Sequence, residues 1–99
     1  MSDVVLTLFC AAGDADAIAT TLRDHAGAPV HMRREAVLGW DYDDAATVEH
    51  VAGTLDRMAI EVELDAESVA GAIAVVTAAR RRRPFRWRTV AIAERGRIE

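Results

Sequence analysis

Two largely apolar stretches of the chain have residues that alternate between two faces, and each stretch is followed by an alanine-rich segment. The first runs from Val4 to Cys10, and the second runs from Met58 to Leu64 with Glu61 and Glu63 at its outward positions. Alternation with a period of two predicts β-strands, whereas the alanine-rich segments carry apolar residues three and four positions apart, which is typical of amphipathic helices. Each unit is therefore predicted to be a strand followed by a helix.

The ends of both predicted helices carry recognisable signals. Asp14 precedes the first helix as an N-cap, and Gly27 lies just past its last turn. Asp65 precedes the second helix, which is expected to run through the arginines Arg80–Arg83 until Pro84 ends it. Arginines in a last helical turn would complement the helix dipole.

Two further strands, Val30–Trp40 and Phe85–Ala93, complete the order βαββαβ. This order predicts an α+β, ferredoxin-like sandwich in which a four-stranded antiparallel sheet carries two helices on one face. The first strand is apolar on both of its faces, which predicts a central strand that is covered on both sides. The 99 residues are expected to form a single domain, 1–99.

Charge is distributed unevenly along the chain. The net charge of −4 is composed of −10 over residues 1–79 and +6 over residues 80–99, and every basic residue is arginine. The start of the chain lacks the basic region of a secretory signal, and a lone cysteine offers no internal disulfide. We therefore expect a cytoplasmic protein, and its largely acidic surface argues against a nucleic-acid partner.

The basic end of the chain leaves several interpretations open. Arg80–Arg83 could be a solvated helix end, an anion site at a subunit cleft, or a contact for nucleic acid or acidic lipid. Phe85 and Trp87 alternate with Arg86 and Arg88, an arrangement that suits stacking on single-stranded nucleic acid. The same alternation equally predicts aromatic residues in the core and arginines paired with strand carboxylates.

The residues with side chains that could ligate a metal include Cys10, His25, His31, Met32 and His50. His31 and Met32 are adjacent in a strand and point to opposite faces, and Cys10 follows the inward pattern of a core residue. The acidic stretch Asp41–Asp44 lacks the spacing of an EF-hand, and no CxxC or paired-histidine spacing is present. The sequence thus predicts no dedicated metal site, no cofactor and no enzymatic activity.

Three short motifs carry a resemblance to a known family. They are the opening Leu6-Thr7-Leu8-Phe9-Cys10, the strand exit Val37-Leu38-Gly39-Trp40 and the ending Glu94-Arg95-Gly96-Arg97-Ile98-Glu99. Together with the order of elements and the long connection before Met58, they resemble the PII-like signalling proteins. The chain is most similar to a small, uncharacterised proteobacterial branch of that superfamily, over essentially its whole length.

The resemblance implies a homotrimer whose sheets face each other, with ligands bound in clefts between subunits. It also implies that the segment 41–56 docks on a partner protein, and the branch's association with heavy-metal efflux implies a membrane transporter or efflux pump as that partner. The glycine-rich phosphate loop of PII proteins is replaced here by Arg80–Arg83 and Pro84, and Asp41 replaces a second glycine. Because backbone amides approach phosphates closely at glycines, we expect no tight ATP or ADP binding.

The leading hypothesis is a non-enzymatic regulator or sensor that binds a small anionic ligand. Its ligand-binding residues are expected to be Gly39, Trp40, Asp41, Arg83 and Arg95. The alternative is a metal-handling accessory protein of a heavy-metal efflux system, which would use the acidic segment and His50. A purely structural interaction module stays open as a third class.

Overall fold

In the part of the chain that the structure describes, four strands and two helices follow one another in the predicted order βαββαβ. The computed structural model describes residues 3–38, 55–80 and 83–99. The elements are β1 (Asp3–Ala11), α1 (Ala15–Ala26), β2 (Val30–Val37), β3 (Leu55–Asp65), α2 (Val69–Ala79) and β4 (Arg86–Ala91). Short 3-10 turns, Ala12–Asp14 and Ala66–Ser68, lead into the two helices.

The strands form one antiparallel sheet in the order β2-β3-β1-β4. Across the two central strands Leu8 lies opposite Ile60, and on its other side Leu8 lies opposite Trp87. The predicted ferredoxin-like α+β fold is therefore confirmed. β2 and β4 are the two edge strands, and this position decides how their charged side chains are used.

The core lies between the sheet and the two helices. The inward residues of β1 and β3 pack against Ile18 and Leu22 of α1 and Val76 of α2, all of which are fully buried. The central position predicted for β1 is confirmed. In the described chain, however, both helices lie on one face of the sheet, so the second covering that was predicted for β1 is absent there. Val5 and Phe9 on the other face are only partly buried.

The helix ends follow the sequence signals in part. Gly27 adopts a left-handed conformation, with φ of 62°, and its N–H donates to the carbonyl of Arg23 at 2.9 Å, as predicted. The Asp65 side chain accepts a hydrogen bond from the N–H of Glu67 at 3.4 Å and caps the turn before α2. Asp14 occupies the N-cap position of α1, but its side chain makes no capping hydrogen bond to that helix.

The prediction that the arginine run continues the second helix is wrong for Arg80 and Arg83. α2 ends at Ala79, and Arg80 is already extended. Pro84 restricts Arg83 to extended conformations, and the chain must turn here to reach β4. The Arg80 guanidinium lies 6.0 Å from the centre of the Phe85 ring and donates to the Arg83 carbonyl at 3.3 Å.

Strand lengths differ slightly from the predictions. β3 is longer than predicted, because β2 pairs with its residues 55–62 and β1 pairs with its residues 57–65, so each neighbour extends one end of the strand. β4 is shorter, and Ile92 continues its ladder by one hydrogen bond, from its N–H to the Asp3 carbonyl at 3.1 Å. Within the described ranges, no helix is long and apolar enough to cross a membrane.

Candidate functional site

The sheet face opposite the helices, here called the open face, carries a charged network at its β2 edge. Glu61 of β3 accepts hydrogen bonds from the Thr7 hydroxyl at 3.2 Å and from the Arg33 guanidinium at 2.8 Å. Arg33 also lies 3.5 Å from Glu35 on its own strand. Thr7 is only 3% exposed. Its hydroxyl is therefore shielded from water, and the hydrogen bond to Glu61 satisfies it within the protein.

The contacts of Glu61 change its acidity. The hydrogen bond from Arg33 is the largest cause that lowers the pKa of Glu61, and the Arg33 charge, the Thr7 hydroxyl and nearby His31 add to it. Partial desolvation acts in the opposite direction. At the same edge, Arg34 donates to both oxygens of Asp56, at 3.1 and 2.9 Å, and this hydrogen bonding lowers the pKa of Asp56. Both carboxylates are thus held in their charged form.

The β4 side of the open face is organised differently. Arg88 lies over the ring of Phe9, with 5.1 Å between its guanidinium carbon and the ring centre. Val90 lies opposite Val5 and is 55% exposed. The interpretation with core aromatics and arginine–carboxylate pairs does not hold in full, because Trp87 is 49% exposed and Arg88 rests on an aromatic ring. Only Phe85 packs against the core as predicted.

A groove of about 260 Å³ lies at the end of the sheet where β1 begins. Arg95 reaches into it from the segment after β4 and bridges Asp3, at 2.6 Å, and Glu63, at 3.1 Å. The groove is lined by Asp3, Ala28, Pro29, His31, Glu63, Leu64, Asp65 and Arg95. Asp3 and Glu63 were not identified from the sequence, although their outward positions on adjacent strands, in the observed register, would have suggested them.

The charges of this groove limit what it can bind. Three carboxylates face a single arginine, and the guanidinium of that arginine is held by two of them. An anion that reached Arg95 would therefore have to displace Asp3 or Glu63 from it. Such an exchange replaces one ion pair by another, so the groove has no preformed anion site in the described conformation.

Of the five ligand-binding residues predicted from the sequence, only two can be placed. Gly39, Trp40 and Asp41 lie outside the described residues. Arg83 is exposed before the start of β4, whereas Arg95 lies beyond its end. The six residues of β4 rise by about 3.3 Å each, which separates the two ends by about 17 Å. Within one chain the fold therefore does not bring Arg83 and Arg95 together.

The metal-ligand candidates are likewise dispersed. Cys10 is fully buried in the core as predicted, and burial raises its pKa to about 11. His25 is exposed at the end of α1 beside Gly71 of α2. His31 lies opposite Glu61 and Met32 opposite Ile60, which places the two on opposite faces. Residues 3–38, 55–80 and 83–99 contain no group of three or more potential ligands, and His50 lies outside those ranges.

Solved structures with the same fold are numerous. A DUF3240 family protein from Shewanella baltica superposes with a TM-score of 0.77 at 14% sequence identity. The superposition covers 100% of this chain and 99% of that protein. A functionally unknown protein from Pediococcus pentosaceus gives 0.72 at 8% identity, with 99% of both chains covered. A Bacillus cereus protein related to NIF3 gives 0.72 at 10% identity over 97% of this chain, which spans only 26% of that protein.

At these identities the likeness concerns the fold alone. No family model matches the sequence, and no curated protein matches it either. The class that the structure defines is therefore a small ferredoxin-like domain, a fold that it shares with the DUF3240 family protein. Because one fold hosts many functions, the open face and the groove indicate the function better than proteins with the same fold do.

Proposed function

We propose that this protein is a non-enzymatic, cytoplasmic regulator of the PII-like type that works as a homotrimer. In this proposal it binds a small ligand at clefts between subunits and contacts a partner protein through the segment 41–56. The partner is a membrane transporter or an efflux pump. The observation that carries the proposal is the open face, a sheet surface that neither of the described helices covers and on which apolar residues lie among charges of both signs.

The composition of the open face suits burial against other copies of itself. Val5 and Phe9 of β1 and Val90 of β4 form an apolar centre, and Ala59 of β3 is fully buried beside it. The charged network at the β2 edge flanks this centre, so a neighbouring copy presents both an apolar surface and charges of the opposite sign. Packing of sheets in a trimer would bury Val90, which is 55% exposed in the single chain.

The small ligand is proposed to enter where Arg95 meets the sheet. Arg83 and Arg95 lie at opposite ends of β4, so a site that used both would have to combine two subunits. At Arg95 the ligand exchanges with Asp3 or Glu63, and this exchange frees a carboxylate at the sheet end. Binding would thereby change the local charge and bias the contact with the partner.

Light scattering coupled to size-exclusion chromatography tests the assembly. We expect about three times the chain mass of 10.7 kDa at micromolar concentration. Val90→Glu should shift the protein to the monomer, because it buries an unpaired carboxylate at the proposed seam. Val90 is exposed in the single chain, so the fold of the variant should persist, and circular dichroism checks this.

Ile98→Glu is the matched control. Ile98 is fully exposed outside the sheet, and its replacement adds the same charge while leaving the open face intact. The control should remain a trimer. A wild-type protein that is monomeric, or a trimer that survives Val90→Glu unchanged, contradicts assembly through the open face.

A further inference from the structure

β4 is one of the two edge strands of the described sheet. It pairs with β1 on one side, and in the described part of the chain no strand pairs with its other side. All six of its residues are exposed. An edge of this kind presents unpaired backbone donors and acceptors, which another extended chain can use.

The backbone groups that point outward can be identified from the ladder. The N–H of Ile92 donates to Asp3 of β1, so Ile92 faces inward toward that strand. In an antiparallel ladder alternate residues face the same neighbour, and Val90, Arg88 and Arg86 therefore also face β1. The N–H and C=O groups of Trp87, Thr89 and Ala91 consequently point away from the sheet, toward an incoming strand.

The side chains of β4 define what such a strand should carry. Arg86 and Arg88 lie on the open face, and Trp87 lies on the other face with half of its surface exposed. Arg88 forms no ion pair with any carboxylate of the described residues, since its contact is with the Phe9 ring. A neighbouring strand would thus meet positive charge on one face and an aromatic surface on the other.

We propose that β4 binds an extended acidic segment of a partner protein by strand addition. The segment carries carboxylates at alternate positions, next to Arg86 and Arg88, and an apolar residue between them that contacts Trp87. Its backbone bonds to the outward groups of Trp87, Thr89 and Ala91. β4 plays no part in the function proposed above, which assigns the partner contact to the segment 41–56, so the proposal goes beyond that function.

A second copy of β4 is a poor occupant of the same edge. Antiparallel pairing of two β4 strands brings the arginines of one copy close to those of the other on the same face, and like charges in such positions are destabilising. Arginines on an edge strand therefore discourage self-pairing. The same charges attract a strand that carries glutamates, which gives the edge its selectivity.

The test uses a fluorescent six-residue peptide of alternating glutamate and valine, which matches the length of β4. Fluorescence anisotropy should show saturable binding, and a peptide with lysine in place of glutamate should not bind. A peptide methylated at alternate backbone nitrogens keeps its charges but loses the donors for the ladder. That methylated peptide should also fail to bind.

On the protein side, Arg88→Glu should weaken binding of the glutamate peptide at least about tenfold, because an attractive cross-strand pair becomes a repulsive one. Arg97→Glu is the matched control, since Arg97 is 84% exposed and pairs with Glu99 outside the sheet. It makes the same change in net charge and should leave binding within about twofold.

Three outcomes would overturn the proposal. Absence of binding by the glutamate peptide would mean that the arginines only prevent β4 from pairing with another copy of itself. Equal binding of the methylated peptide would exclude strand addition. Equal weakening by Arg88→Glu and Arg97→Glu would show attraction to net charge rather than to β4. Because the peptides report on an intact wild-type protein, the first two results do not depend on how any variant folds.

Discussion

The two edge strands of the sheet carry arginines in similar numbers and use them in different ways. On β2, Arg33 donates to Glu61 at 2.8 Å and Arg34 donates to both oxygens of Asp56. On β4, Arg88 rests on the Phe9 ring and pairs with no carboxylate of the described residues. The cause lies in the neighbouring strand, since β3 offers carboxylates to β2, whereas β1 offers β4 a mostly apolar surface.

This difference shows that the role of an edge charge is decided by sheet order more than by the edge strand itself. The arginines of β2 are engaged within the chain and help to hold that edge in place. Arg88 contributes little inside the chain and is available to a partner. If this comparison is right, substitutions at the β2 edge should affect stability, and substitutions at the β4 edge should affect binding.

The largest effect on stability is expected for Glu61→Ala at the β2 edge. Glu61 accepts from both Thr7 and Arg33, and Thr7 is 3% exposed, so the substitution leaves a buried hydroxyl without its acceptor. We expect a loss of about 1–2 kcal/mol in the free energy of unfolding, since the Arg33 side chain is 47% exposed and its share is reduced by solvent.

Urea denaturation at constant protein concentration measures this change, because assembly would otherwise shift the apparent stability. Glu35→Ala is the control, since Glu35 contacts Arg33 only at 3.5 Å and should cost less than about 0.5 kcal/mol. Equal effects of the two substitutions would mean that the contact with Thr7 does not matter.

Acid should weaken the β2 edge selectively. The pKa of Glu61 and the pKa of Asp56 are both lowered by hydrogen bonds from arginines, relative to ordinary values of 4.5 and 3.8. A carboxylate whose pKa is lower in the folded state contributes stability above its unfolded pKa, and this contribution is lost as the pH falls through the folded pKa. The contribution is therefore present at pH 7 and fades below about pH 4.

Glu61→Gln tests this pH dependence. The variant should be less stable than the wild type at neutral pH, and the difference between the two should shrink as the pH falls toward 3. Thermal unfolding followed by circular dichroism across this range gives the comparison. A difference that stays constant with pH would show that the charge of Glu61 is not what stabilises the β2 edge.

The difference between the edges also shows what the sequence could and could not predict. Alternation in Met58–Leu64 predicts that Glu61 and Glu63 lie on the outer face, and Gly27 and Asp65 are predicted signals of helix ends. The structure confirms these four predictions. The fold followed from the order of such elements. Periodicity says which face a residue occupies, but it does not say which strand lies beside it.

The site depends on that missing information. The contact between Arg95 and Asp3 joins residues at opposite ends of the chain, and it forms because Ile92 continues the ladder with β1. Trp87 was one of the aromatics open to a core interpretation, yet it is half exposed, since β4 turned out to be an edge strand. Neither result could be obtained before the register and the strand order were known.

The smallest effect on stability is expected for Arg88→Ala at the β4 edge. The substitution removes an exposed cation–π contact with Phe9, which is worth about 0.5 kcal/mol. The loss should be the same at pH 7 and pH 3, because the contact with the Phe9 ring involves no carboxylate. Arg33→Ala at the other edge makes the same chemical change but removes the partner of Glu61, so it should cost more at pH 7 and lose that excess in acid. Urea denaturation of both variants at both pH values measures the contrast. If Arg88→Ala lowered the free energy of unfolding as much as Arg33→Ala, Arg88 would be a structural residue. Its charge would then not be available to a partner that binds β4.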